Sequence, residues 1–302
     1  MEKDLISVVI PYYNKCNTIS RAIVSVLKQT YYSLELLIID DYSDQPLDIA
    51  SLPVDSRILF LSNSINLGAA QTRQRGLNLS RGKFIAFLDA DDWWDPNFLD
   101  YCLIVLLNNE LSDGAYVKTQ VLHPDGTHSL RRHCDIGFTK IRETLIQYSR
   151  PWQTGGILWR KSSCGDWGSL KTNEDSWFEI SSSKYNCLLP VNIIGYFVDQ
   201  SGEAHLSASF THCNVAQDVQ SLFLRILECE RNKLSLGIRI TLFLRIVRGQ
   251  LRILEYCGME IANLIRKDIS KNSRFMGMIC KNRLTMKLIH RVLQATPYKI
   301  HF

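Results

Sequence analysis

The chain has 302 residues, 46% of them hydrophobic and 22% charged, which fits one large globular domain or a domain with an appendage. Nine cysteines are scattered without a C-x-x-C pair, arguing for a reducing compartment and against a zinc ribbon or a disulfide framework. The net charge of +5 is unevenly spread: residues 231–302 hold 15 Lys/Arg and 3 Asp/Glu, and the remainder is acidic, so an anionic partner is expected for the last quarter. The first residues do not form a signal peptide, and no apolar run reaches the roughly 18 residues of a spanning helix. A cytoplasmic protein is therefore expected.

Leu5–Ile10 is apolar and β-branched, as in a central parallel strand that Pro11 should stop. Asn17 is a candidate cap for a helix with Ile19, Ala22, Ile23, Val26 and Leu27 at helical spacing. Leu34–Ile39 reads as a second strand, ending in Asp40-Asp41, and Arg57–Leu61 as a third. A helix over Ala69–Leu79 and a strand over Phe84–Leu88 follow. Strands and helices in this order predict an open α/β sheet with crossovers.

Ligands bind such sheets outside the carboxyl ends of the strands. There the chain places Tyr12-Tyr13-Asn14, Asp40-Asp41, and Asp89, Asp91 and Asp92 of the stretch KFIAFLDADDWW. Acids crowded at the end of a buried strand are costly unless positive charge sits beside them; a divalent metal holding a diphosphate supplies it. A plainer role fits too, with Asp92 or Asp95 capping a helix that has Pro96 in its first turn.

Ala115–Leu122 reads as a strand, HPDGTH (123–128) as a hairpin turn, and Thr154–Trp159 as loop then strand. Glu174-Asp175 opens a helix with acids in its first turn, and Ile193–Val198 is another strand. From Val215 onward the pattern is helical.

The ordered series SVVIPYYNKCNTISRAIVSVLKQTY, ELLIIDDYS, NLGAAQTRQRGLNLSRGKFIAFLDADD and NEDSW resembles family 2 glycosyltransferases of the GT-A fold, over roughly residues 4–200. The resemblance implies an α/β fold of GT-A type, a Rossmann-like, mostly parallel central sheet flanked by helices, with a C-terminal helical region. It implies an inverting enzyme that takes a hexose or N-acetylhexosamine from a UDP-sugar with Mn²⁺ or Mg²⁺. Pro11, Tyr12 and Tyr13 match the segment lining the nucleoside pocket, where an aromatic face can cover a uracil ring; ordinary packing beneath a loop fits either tyrosine equally. Asp41 matches the aspartate that binds uracil, although a turn role also fits it. Asn66 and Arg73 match a segment approaching the donor, with Thr72 and Gln74 departing from the family pattern; Arg73 equally suits a salt bridge to the acidic edge. Asp91 matches the metal ligand, and Asp89 the ribose or a metal-bound water, with direct metal contact as its second role. Asp175 matches the catalytic base, which inversion requires on the face opposite the leaving group; acids favouring a helix N-terminus are the alternative for Glu174 and Asp175. Trp152, Gly155, Gly156, Glu174 and Trp177 are acceptor-side candidates, with core packing for Trp177 and a plain turn for the glycines as alternatives.

The expected organisation is a catalytic domain over 1–212, with a nucleotide-binding half to about 112 and an acceptor half from about 113, followed by a basic helical region over 213–302. That region suits an anionic membrane surface at the inner face of the plasma membrane, or packing against a partner subunit; a homo-oligomer is compatible, and nucleic acid is not expected. The implied acceptor is a glycan on a polyprenyl diphosphate carrier, as in O-antigen, capsule or exopolysaccharide synthesis. Two rivals remain, a non-catalytic nucleotide-sugar-binding scaffold and a sugar-1-phosphate nucleotidyltransferase. The second needs a glycine-rich basic loop where this chain has PYYNK.

Overall fold

The computed structural model describes residues 4–131, 139–147, 150–170, 172–182 and 184–200. The basic helical region expected over 213–302 lies outside the described residues. In chain order the elements are β1 (Ile6–Tyr12), α1 (Ile19–Leu27), β2 (Leu34–Asp40), β3 (Ile58–Ser62), α2 (Ala69–Leu79), β4 (Phe84–Phe87), β5 (Trp93–Trp94), α3 (Phe98–Leu107), β6 (Gly114–Leu122), β7 (His128–Leu130), α4 (Ile141–Gln147), β8 (Ile157–Arg160), α5 (Glu174–Ser181) and β9 (Leu188–Asp199). One compact unit comprises Met1–Ile141, Arg150–Ser169 and Trp177–Ala204; Arg142–Ser149 and Leu170–Ser176 belong to a second.

In the first unit, nine strands among the described residues form one sheet in the order β3-β2-β1-β4-β8-β6-β9-β5, with β7 on β6. From β3 to β4 the sheet is parallel; beyond β4 it is mixed, with β8 antiparallel to both β4 and β6. The expected α/β architecture is therefore observed. The chain leaves β1 toward β2 on one side and returns through α2 to β4 on the other, so the order reverses between β1 and β4. That reversal is where open α/β sheets leave a crevice for a ligand.

Period-2 apolar runs explain the two faces. Val8, Ile10, Leu36, Ile38, Phe84 and Ala86 point to a core closed by Ile19, Ile23 and Val26 of α1 and by Phe98, Cys102 and Leu106 of α3. Val9 points the other way, against α2, where Gly76 gives the close approach: a Cβ there would lie 2.3 Å from a Val9 methyl.

Several boundaries differ from expectation for identifiable reasons. β1 continues through Pro11, which pairs in register with Ile39. Pro11 shares with Val9 the side facing β4, and that pairing ends at Val9–Phe87, so its missing N–H takes nothing from the ladder. Neither expected helix cap forms: Thr18, not Asn17, precedes α1 and makes no side-chain cap, and α3 starts only at Phe98 after Asn97. Asp95 instead accepts from the Asn97 N–H (2.9 Å). β9 is longer than the 193–198 run, because Leu188–Val191 pairs with the start of β6 before a bulge.

The start of β4 is pinned by one buried carboxylate. Glu35 accepts from Ser7 Oγ (2.6 Å), Arg81 N (2.6 Å) and Arg81 Nε (2.7 Å), and Ser7 Oγ accepts from Gly82 N (2.8 Å). Burial pushes the Glu35 carboxyl up, but the Ser7 and Arg81 hydrogen bonds outweigh it and hold it below its ordinary value. A depressed carboxyl stabilises the fold above its unfolded-state pKa, and the contribution fades as pH falls through the depressed folded value. Glu35→Gln should therefore melt lower than the parent at pH 7, with the gap closing on acidification. A gap that is constant from pH 7 to pH 2, measured by thermal melts, contradicts this.

Candidate active site at the strand C-termini

The loops after β1 and β2 are zipped together. Asn14, held at φ 51°, donates from Nδ2 to Asp44 (2.9 Å) and accepts from Asp44 N (3.0 Å), while its own N–H donates to Ser43 Oγ (3.1 Å). Of the two tyrosines expected at a nucleoside, Tyr12 is fully buried in the core, and burial pushes its hydroxyl up. Tyr13 is half-buried and is the one with a face to offer; Pro11 beside it is half-buried too.

Asp41 is 3% exposed. Its Oδ1 accepts from Asn63 Nδ2 (2.7 Å) and Leu67 N (2.9 Å), and its Oδ2 from Gly68 N (2.8 Å). It thus ties the end of β2 to the entrance of α2, where Gly68 at φ 82° is the residue that tolerates the turn. An ionised carboxylate has about four acceptor positions, so these three bonds leave room for one further donor. Asn66 lies exposed in the same loop.

Arg73, in the second turn of α2, donates to Asp89 Oδ1 at 2.5 Å, and its guanidinium carbon lies 4.9 Å over the Trp167 ring. Trp167 is fixed by stacking on Phe178 (4.3 Å between centroids) and edge-on against Phe87 (4.9 Å). Asp91 pairs with Lys15 Nζ at 3.2 Å, and its carbonyl accepts from Arg21 (2.6 Å), which also reaches Asp199 (2.7 Å). Asp92 is buried, accepting from the Tyr196 hydroxyl and from Asp199 N (3.1 Å). Burial, then the charges of Asp89 and Asp91, push its carboxyl well up. The three acids are thus handled differently: two carry a cation each, and the third is taken out of contention by burial.

Among the described residues no group of three or more His, Cys, Asp or Glu side chains gathers as a metal cage. Asp89 and Asp91 suit a hard cation that takes one or two carboxylates from protein and its remaining oxygens from a diphosphate and water. The residues present therefore fit Mn²⁺ or Mg²⁺ bound together with a nucleotide.

Of the residues expected on the acceptor side, Trp152 is fully buried against Tyr116. Gly155 and Gly156 lie buried in a 3-10 turn, and a Cβ on Gly155 would meet the Tyr196 ring at 2.4 Å. Arg150 donates to Thr154 Oγ1 (2.8 Å) in that turn and to buried Glu179 (2.7 Å) on α5. Trp177, half-buried, donates to Asp166 (3.1 Å) and covers Gly168, whose carbonyl accepts from Gln71 of α2. In the second unit, Glu174 and Asp175 open α5, and Asp175 accepts from Ser176 N at 2.7 Å.

Lys15, Arg21, Trp167 and Tyr196 are parts of the site that the sequence reading missed. Only Lys15 carried a local signal, as a cation in the loop after β1.

A parallel-then-mixed α/β sheet with an acid pair at its crevice defines a GT-A fold. Residues 7–163, just over half of the chain, match the family described as Glycosyl transferase family 2, and the protein belongs to that family. It is 44% identical over 113 residues to the UDP-Glc:α-D-GlcNAc-diphosphoundecaprenol β-1,3-glucosyltransferase WfgD of Escherichia coli, covering 37% of this chain and 45% of that one. Over 92 residues it is 42% identical to WfaP of the same organism, which carries the same activity name, covering 30% and 37%. The chain spans under half the length of these relatives. Among solved structures, S. aureus TarS 1–349 in complex with UDP-GlcNAc aligns with a TM-score of 0.61 at 16% identity, covering 97% of this chain and 93% of that one.

Asp41→Ala would leave Leu67 N, Gly68 N and the Asn63 amide without their acceptor. At about 1–3 kcal/mol for each buried unsatisfied group, partly relieved by water, the expected loss is about 3 kcal/mol in urea denaturation. A loss below about 1 kcal/mol contradicts the latch role.

Proposed function

We propose that the protein is an inverting glycosyltransferase that moves a hexose or N-acetylhexosamine from a UDP-sugar to a glycan hydroxyl, forming a β linkage. The observation that carries this reading is the pair Asp89 and Asp91 at the crevice between β1 and β4, each balanced by its own cation. Asp41 has an acceptor position left for the N3–H of a uracil, and Tyr13 offers a ring face. Asp91, with Asp89, would hold Mn²⁺ or Mg²⁺ against the diphosphate, and that ion would neutralise charge on the departing UDP. Lys15 lies close enough to Asp91 to turn toward the diphosphate. Asp175, in the first turn of α5, is the base that takes the proton of the attacking hydroxyl.

The acceptor reading rests on relatives whose names specify a GlcNAc-diphosphoundecaprenol acceptor and UDP-Glc. A lipid-linked acceptor fits a catalytic domain over 1–212 followed by a basic region, 213–302, that rests on an anionic leaflet at the cytoplasmic face of the membrane. No helix among the described residues is long and apolar enough to cross a membrane. The scaffold and nucleotidyltransferase alternatives gain no support, because PYYNK spans the end of β1 and the loop after it, with no glycine-rich basic loop there, and the acid pair is intact.

The test is transfer from labelled UDP-Glc and UDP-GlcNAc, with Mn²⁺, to a GlcNAc-diphosphate lipid in anionic or neutral vesicles. A β-linked product by NMR is expected, faster on anionic vesicles, with kcat falling about 10²–10⁴-fold in Asp175→Asn. An α-linked product, no product from either donor, or parental turnover by Asp175→Asn overturns the reading.

A further inference from the structure

Tyr196 belongs to no motif, yet it joins two parts of the site. Its hydroxyl donates to Asp92 Oδ2, and both residues are nearly inaccessible, at 3% and 4%. The ring lies directly beneath the 154–156 turn, so that a Cβ on Gly155 would fall 2.4–2.7 Å from its Cε2, Cζ and hydroxyl oxygen. The Gly155 carbonyl accepts in turn from Trp94 Nε1 (2.6 Å).

Around that contact the segment from Asp91 to Asp95 is stapled to β9 along its length. Trp93 and Trp94 pair with Phe197 and Tyr196, and Asp95 N donates to the Gly195 carbonyl (3.1 Å). Asp199 N donates to Asp92, while Arg21, held by Asp199, fixes the Asp91 carbonyl. The Asp91 carboxylate therefore projects from a backbone whose next residue is anchored by the Tyr196 hydroxyl. Because Tyr196 is buried, it has no route to touch substrate; its effect passes through Asp92.

We infer that Tyr196 is a positioning residue: its hydrogen bond to Asp92 sets the Asp91 carboxylate for a divalent cation and ties that setting to the Gly155–Gly156 turn. The inference rests on the metal-and-UDP reading proposed above. Residues that orient a metal ligand from outside the coordination sphere typically change metal affinity or activity by about 10–100-fold. Gly155 follows as a second lever on the same bond, since a methyl group there displaces the hydroxyl from Asp92.

The experiment measures free Mn²⁺ by electron paramagnetic resonance while the full-length protein is titrated in the presence of UDP, with no turnover needed. Tyr196→Phe, which keeps the ring and removes only the hydroxyl, should weaken Mn²⁺ affinity about tenfold while UDP affinity without metal stays at the parental value. Gly155→Ala should weaken it in the same direction, and the double variant should be no weaker than the worse single one, as expected for two changes acting on one bond. Gly155→Ala also keeps the test decisive if Tyr196→Phe does not fold. Parental Mn²⁺ affinity in a folded Tyr196→Phe, or an equal loss of metal-free UDP binding, overturns the positioning role alone. A parent that binds no Mn²⁺ with UDP overturns the metal-and-UDP reading, and the inference with it.

Discussion

The ion pair between Arg73 and Asp89 joins the helix that crosses behind β1 to the end of the strand it delivers. A guanidinium this deeply buried, with Trp167 under its face, needs an anion beside it; removing the partner of a buried charge costs about 3–5 kcal/mol. Asp89 is 37% exposed, so water screens the pair and the figure lies toward the lower end or below. What the pair secures is placement. With it, the carboxylate at the mouth of β4 is held against α2 and not left to repel Asp91 and Asp92.

The same helix organises the rest of the edge. Its entrance is latched to β2 by Asp41, its first turn reaches the Gly168 carbonyl through Gln71, and Gln74 accepts from Trp167 N (2.9 Å). Its glycine at 76 brings it close to β1. Asp41 at the end of β2 and Asp89 after β4 therefore both take their positions from one helix. The acids on the far side of the loop answer instead to β9, through Tyr196 and Asp199.

Much of this was legible in the sequence wherever the determinant is local. The buried strands show as β-branched apolar runs, α2 as helical spacing, and the acid cluster as three carboxylates after an apolar stretch. Pro11 misled because proline stops a strand only where its missing N–H is needed, and which neighbour that nitrogen faces is a property of the sheet. Trp152 and Trp177 could not be told apart locally, although one proves buried and the other half-covers a loop. The partners of the acids were hidden by distance along the chain: Arg21 meets Asp199 across 178 positions and Tyr196 meets Asp92 across 104, and no spacing rule spans such separations. Only the folded register brings them together.

The central claim is that Asp91 exchanges the charge of Lys15 for that of a cation shared with a nucleotide diphosphate. Anomalous diffraction from crystals grown with UDP and Mn²⁺ tests it most directly. The account predicts a manganese peak within bonding distance of Asp91 and of diphosphate oxygens, with Lys15 Nζ moved off the carboxylate. A peak remote from Asp91, with the Lys15 pair intact, would contradict it.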